Sequence, residues 1–341
     1  MTARSAASST EVLIAVVLVA AVATGIFLVL RMKSTGQAGS GLGKEFQYDT
    51  SDLRRFDPKL VKYEQVGRIE TGFAAVRGIA AGPDDRIYVA GDSAIRVFDR
   101  DGRMLPEIRT AGQARCLCVA KDGTLYAGME DHVEVLAPGA AGWKAWASPA
   151  ERALLTSVAV SADSVFVADV GGRIIHRFDR TGKLLKQIGP TDETGKATRF
   201  SSPIGSVIFD LAVAPDGLLR VAHTGRRLVE AYTFDGDREF AWGRSGTGIE
   251  EFSGCCNPAH IAVFPDGRIV TSEKGALWAV KVYHPDGPDL PDGKLESVVV
   301  AGRKPTPQGA GRDVAVDSRQ RILVLEPEDR TVRIFARKEP I

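Results

Sequence analysis

The chain of 341 residues is poor in the side chains that most often announce chemistry: it has four cysteines, five histidines and four tryptophans. Four cysteines are too few for a disulfide scaffold of this size, and none of them forms a C-x-x-C pair. The net charge is only +1. A nucleic-acid protein carries a strong basic excess, so no nucleic-acid partner is expected. The sequence also lacks H-E-x-x-H, G-x-S-x-G, the Walker A loop and a Rossmann glycine pattern. What is present is an ordinary globular balance, with 44% hydrophobic and 26% charged residues, and many glycines, 36 in all. That mixture leans toward many strands joined by tight turns.

One long apolar run stands out near the start. Residues 12–30 read VLIAVVLVAAVATGIFLVL without a charge. At about 1.5 Å per residue such a helix covers about 29 Å, close to the hydrocarbon thickness of a bilayer. The preceding segment, 1–11, offers only Arg4 as a basic side chain, and no small-residue cleavage site follows the run. An uncleaved transmembrane anchor is therefore expected, with a cleaved signal peptide as the alternative. Arg31, Lys33 and Lys44 follow the helix, which by the positive-inside rule argues for a cytoplasmic C-terminal region. A single N-terminal anchor bearing a large C-terminal domain is, however, a common arrangement for export, and an extracytoplasmic domain is the expectation. Residues 31–60, beginning near STGQAGSGLG, read as a flexible linker.

From residue 61 to 337 the chain repeats itself. Each copy is an apolar strand, a polar turn, a second strand, an acidic or small corner, a third strand and another turn. The first-turn positions are Asp84, Asp122, Asp163, Asp216, Asp266 and Arg319, spaced 38 to 53 residues apart. That period fits one four-stranded propeller blade per copy. Asp-Gly pairs at 122–123, 216–217 and 266–267 supply hairpin turns between the first two strands. The sixth copy has only three clear strands, and residues 61–69 are expected to supply its outer strand and close the ring. The expectation is thus an all-β, six-bladed propeller over 61–337 preceded by one transmembrane helix, with a short tail at 338–341.

The wording of the copies resembles a known family. The segments IAVFPDGRIVTSE and VAVSADSVFVADVGGRIIHRFDRTGKLL look like NHL repeats, and the glycine-rich stretches at 189–203 and 243–258 look like that family's lead-in to a blade. The resemblance implies a six-bladed NHL propeller. It says little about activity, because such propellers include scaffolds, sensors and some enzymes. The second copy departs by lacking the acidic corner, and the first and sixth lack the first-turn glycine.

Strand order then orients the blades. Turns after strands one and three share one face; connections after strand two and between blades share the other, here called the top. The long insertions, about 190–206, 244–257 and 303–310, fall mostly on the top face, where binding residues concentrate. The start of each innermost strand carries Gly78, Cys116, Ser157, Asp210, His260 and Asp313, with Arg77, Arg115 and Arg312 just before three of them. The end of each second strand carries Gly91, Met129, Asp169, His223, Glu273 and Glu326. Both rings are expected to face the channel mouth. Arg77, Arg115, Asp210, His223, His260, Arg312 and Asp313 are the candidate ligand-binding residues. The ordinary alternative is that strand-end polar groups make caps and hydrogen bonds between blades.

Cys255-Cys256-Asn257-Pro258 is the least generic segment, set just before His260. Cys255, Cys256, Cys116 and His260 form a candidate redox or metal group, since thiolate and imidazole suit Zn²⁺ or Cu⁺; buried structural thiols are the alternative. The four tryptophans, His176 and His284 read as packing or exposed residues. Three functional readings remain open. The first is a membrane-tethered module that binds a protein, peptide or small molecule at its top face without turnover. The second is an enzyme with a divalent metal at the channel mouth, as in the peptidyl-amidating lyase and gluconolactonase-like propellers. In it Asp210, His260 and Asp313 would act as ligands or acid/base groups, and Arg77 or Arg312 would hold an anionic group. The third is a redox accessory protein using Cys255 and Cys256.

Overall fold

The computed structural model describes residues 9–31, 55–192, 194, 196, 198–201, 209–275, 277–284, 293–302 and 311–339. The chain divides into two units, Met1–Asp52 and Leu53–Ile341.

In the first unit, α1 spans Ser9–Arg31. Its described large apolar side chains, including Leu13, Ile14, Val17, Val19 and Val22, are all exposed. Among the described residues no helix is long and apolar enough to cross a membrane. The side chains of α1 at 11, 12, 25, 26 and 28–31 lie outside the described residues. The linker of 31–60 also lies mostly outside them.

The second unit is an all-β propeller of six four-stranded antiparallel sheets. Blades 1 to 5 occupy 76–109, 116–145, 155–188, 210–242 and 260–302, each with its strands in chain order from the channel outward. Blade 6 takes three strands from 314–337 and its outermost from Tyr63–Glu70, which pairs along Thr331–Arg337. The first and last strands of the domain thus share one sheet, which closes the ring of blades.

Local chemistry explains the turns. Asp122, Asp216 and Asp266 each accept a hydrogen bond from the backbone N–H two residues on, at 2.9 to 3.1 Å. The residue between needs a left-handed backbone, which Gly123, Gly217 and Gly267 supply. In two of the copies without that glycine, Asp85 and Gln320 adopt the same conformation, each with φ 60°. Asp85 also reaches across the ring closure: its carboxylate accepts from the Ser318 N–H at 2.8 Å.

The cores lie between blades. Phe166, Ile175, Leu211, Leu219 and Tyr232, all buried, join blade 3 to blade 4. Val270, Val282, Val324 and Phe335 join blade 5 to blade 6. Trp146, stacked edge-on to Tyr126, and Trp242, 4.9 Å from Tyr283, fill the outer blades.

Candidate functional site

The innermost strands bring their first side chains together at one end of the channel. His260 Nδ1 lies 3.4 Å from Asp210 Oδ2 and 3.4 Å from Asp313 Oδ1. Among the described residues, the cluster whose ligand atoms all lie within 4.8 Å of one another is Asp210, His260 and Asp313. Their side chains keep 10%, 15% and 18% exposure.

Both carboxylates already serve the fold. Asp210 accepts the N–H of Leu211 at 2.9 Å and that of Ile261, in the next blade, at 2.9 Å. Asp313 accepts the N–H of Val314 at 2.8 Å and that of Ile79, in blade 1, at 2.9 Å. Ser157 does the same more weakly, its hydroxyl 3.3 Å from the Leu211 N–H. Three inner-ring side chains therefore brace blades 3, 4 and 6 to their successors. Burial pushes the Asp313 carboxyl up, the nearby Asp210 charge adds to this, and His260 only partly offsets it, leaving it at about 6. Burial alone would depress His260, but Asp210 and Asp313 outweigh it and raise the imidazole above its ordinary value. The two acidic neighbours therefore favour the protonated imidazole.

The second ring does not face the channel, and here the structure corrects the sequence reading. The four charged or histidine side chains that end second strands turn into their own blades and pair with the third strand. His176 Nε2 lies 3.2 Å from Asp169 Oδ2, His223 Nδ1 2.8 Å from Glu230 Oε2, and Arg333 Nη1 3.2 Å from Glu326 Oε1. Lys281 Nζ meets Glu273 at 2.5 Å, with both side chains wholly buried. His223 is thus not a mouth residue: it is 1% exposed, sealed by Glu230 and by the Ser201 N–H at 3.1 Å. Arg312 is likewise internal, 2.6 Å from Glu326 and stacked 3.5 Å over the Trp278 ring. Stacking and ion pairing fix its guanidinium between blades 5 and 6, so it is not available to a channel ligand.

The cysteines do not join His260. Cys116 is buried against Leu155 and Val158, and Cys118 lies beside the same cluster. Cys255 is exposed, its Sγ 3.1 Å from that of Cys256 with no disulfide between them. The loop carrying them is pinned by Asn257, whose amide donates to the backbone of Ser253 and Lys274. The same insertion is anchored by Lys281, which donates to the carbonyls of Ile249 and Glu251, each at 2.9 Å. The insertion at 303–310 lies outside the described residues, and that at 190–206 does so in part.

Arg77 and Arg115 are brought together elsewhere on the top face. They line a cleft of about 490 Å³ between blades 1 and 2, with Gln113, Met129, Glu130, Asp131, His132 and Glu134. Arg77 is exposed and donates to Gln113 Oε1 at 2.8 Å. Glu134, which the sequence reading passed over, is 7% exposed and its Oε2 has no hydrogen-bond partner. On the opposite face a cavity of about 770 Å³ is walled by residues such as Val160, Val213, Phe234 and Phe264.

No family model matches this sequence, and no curated protein matches it. Solved structures do match in fold. A Bacteroides thetaiotaomicron protein of unknown function aligns with a TM-score of 0.58 at 15% identity, covering 82% of this chain and 72% of that one. A streptogramin B lyase aligns at 0.53 and 11% identity, covering 82% and 99%. A catalytically inactive histidine-to-alanine variant of Staphylococcus aureus virginiamycin B lyase, solved with quinupristin, aligns at 0.54 and 11%, covering 81% and 99%. At these identities the likeness defines a six-bladed propeller and leaves activity open.

Proposed function

We propose that this protein is a membrane-tethered, NHL-type propeller that binds a protein, peptide or small-molecule partner through its top face without turning it over. One observation carries the reading. The residues best suited to catalysis, Asp210 and Asp313, have both carboxylate oxygens engaged by backbone N–H groups, one in their own strand and one in the next blade, whereas the Arg77–Arg115 cleft is open and lined by charged side chains. The anchor reading rests on the uncharged run 12–30 and on the exposed apolar side chains of α1, which need an apolar surrounding. The propeller is placed outside the cytoplasm, against the basic residues that follow the helix. A reporter enzyme fused after Ile341 tests this, and activity only in the cytoplasm overturns it.

A second reading is favoured by the channel cluster. Two carboxylates and one imidazole within 4.8 Å are a donor set that suits a divalent cation, and each carboxylate oxygen keeps a lone pair beyond its backbone bond. Asp210, His260 and Asp313 would hold the ion, which would polarise a substrate oxygen. The lyases of similar fold keep this alternative in view. Elemental analysis of the full chain, purified in detergent without chelator beside His260→Ala, separates the two readings. One equivalent of metal in the parent and none in the variant replaces the binding reading by the metal-enzyme one. No metal in a folded parent retains the binding module.

A further inference from the structure

Blade 2 breaks a rule that blades 3 to 6 keep. The third-strand residues of blades 2 to 6 that lie opposite Ala127, Val167, Val221, Thr271 and Val324 are Glu134, His176, Glu230, Lys281 and Arg333. Two residues beyond each opposing position stands the partner. In blades 3 to 6 it is Asp169, His223, Glu273 or Glu326, and each meets the third-strand residue in a hydrogen bond or ion pair. In blade 2 the partner position is Met129, whose thioether cannot neutralise a carboxylate. Glu134 is buried with Oε2 unbonded, and its other oxygen lies 3.7 Å from His132 Nε2.

A buried carboxylate oxygen without a protein partner is costly, and a ligand that completes it relieves that cost. Glu134 and Met129 both line the cleft that Arg77 and Arg115 line. Arg115 is half-buried and its Nε also lacks a partner. The cleft therefore brings side chains of both charge signs together, and two of them carry buried polar atoms without a protein partner. Three carboxylates, Glu130, Asp131 and Glu134, stand against two guanidiniums, so a polyanion such as a phosphate ester is disfavoured. So is a simple cation, which would leave the arginines unanswered.

We propose that this cleft binds a small zwitterion of the amino-acid or short-peptide class, its ammonium on Glu134 and its carboxylate on Arg115 and Arg77. Guanidinium forks match a carboxylate, and a buried carboxylate matches an ammonium. A volume of about 490 Å³ lies in the range of small-ligand pockets. The proposal rests on the reading of the top face as a binding surface, and it is decided by a different experiment from the metal analysis.

The test uses the full chain in detergent and titration calorimetry with each of the common free amino acids and with glycylglycine. Two blocked arms accompany them: the N-acetyl derivative, which lacks the ammonium, and the amide, which lacks the carboxylate. Saturable binding of at least one free zwitterion is expected, weakened about tenfold or more by either block. Glu134→Gln keeps the side-chain shape, and Arg77→Ala alters an exposed residue; each is expected to weaken binding similarly while the unfolding midpoint holds. Failure of every free amino acid and the dipeptide to bind the folded chain overturns the proposal. So does binding that Glu134→Gln and Arg77→Ala both leave unchanged. A metal-loaded channel with amino-acid binding intact would remove the non-enzymatic reading and leave this site standing.

Discussion

Asp313 and Ile79 are 234 residues apart, and the Asp313 carboxylate accepts the Ile79 N–H at 2.9 Å. The contact joins the sixth blade to the first at the channel wall, where the outer-strand latch of Tyr63–Glu70 does not reach. Removing the acceptor also strands the Val314 N–H. Asp313→Ala is expected to lower stability by about 3 kcal/mol, read as a shifted urea midpoint at constant slope. Asp313→Asn keeps one carbonyl acceptor and is expected to cost less. An alanine variant as stable as the parent would show that the latch alone closes the ring.

The same cluster gives stability a definite pH dependence in chelator-treated protein. Asp313 and His260 both bind a proton more tightly folded than unfolded. The stability this confers is present at low pH and lost as pH rises. The share of Asp313 disappears between its ordinary 3.8 and about 6. That of His260 is full below its ordinary 6.5 and disappears as pH passes its raised folded value. Asp169 and Glu230 act oppositely, but only near and below the ordinary carboxyl range. Burial would raise both, and the hydrogen bonds from His176 and His223 outweigh it. Urea midpoints from about pH 5 to about pH 8 should fall more steeply in the parent than in His260→Gln/Asp313→Asn. Parallel profiles would remove the cluster as the source.

The four thiols should separate into two classes. Cys255 is exposed and Cys256 partly so, whereas Cys116 is buried. Burial pushes the Cys116 thiol up, and the negative charges of Asp210 and Asp313 push it further. Burial holds Cys118 up at about 12. Thiolate is the reactive form, so maleimide near neutral pH should add to two cysteines of the native chain and to all four only after unfolding. Intact mass measured against time gives the count, and fast addition at Cys116 would contradict the packing described above.

The propeller was legible because its turns are written in the chain. Asp122-Gly123, Asp216-Gly217 and Asp266-Gly267 fix where strands end, and period-two alternation fixes which face is buried. That register also places Asp210, His260 and Asp313 at equivalent positions on successive inner strands, though only the structure shows their side chains converging. The second ring misled because a strand end was read without its hairpin partner. Asp169 and His176, His223 and Glu230, and Glu326 and Arg333 are each seven residues apart, and Glu273 and Lys281 are eight. A complementary pair at that separation across a strand-two corner signals a contact inside the blade. Searched for in this way, the sequence would also have shown Glu134 standing without its complement.

Glu134 and Glu230 occupy the same place in their blades, so the same substitution should act in opposite directions. Glu230 is wholly buried and holds His223 at 2.8 Å and the Tyr232 hydroxyl at 2.9 Å. Glu230→Leu leaves both partners buried without an acceptor and is expected to cost about 3–5 kcal/mol. Glu134→Leu removes a buried carboxylate with an unbonded oxygen and abandons no hydrogen-bond partner. It is expected to raise stability by about 1–2 kcal/mol, while abolishing zwitterion binding. Chemical denaturation of the two variants beside the parent gives both signs in one experiment. A loss of stability in Glu134→Leu comparable to that in Glu230→Leu would mean that the blade-2 carboxylate serves the fold and not a ligand.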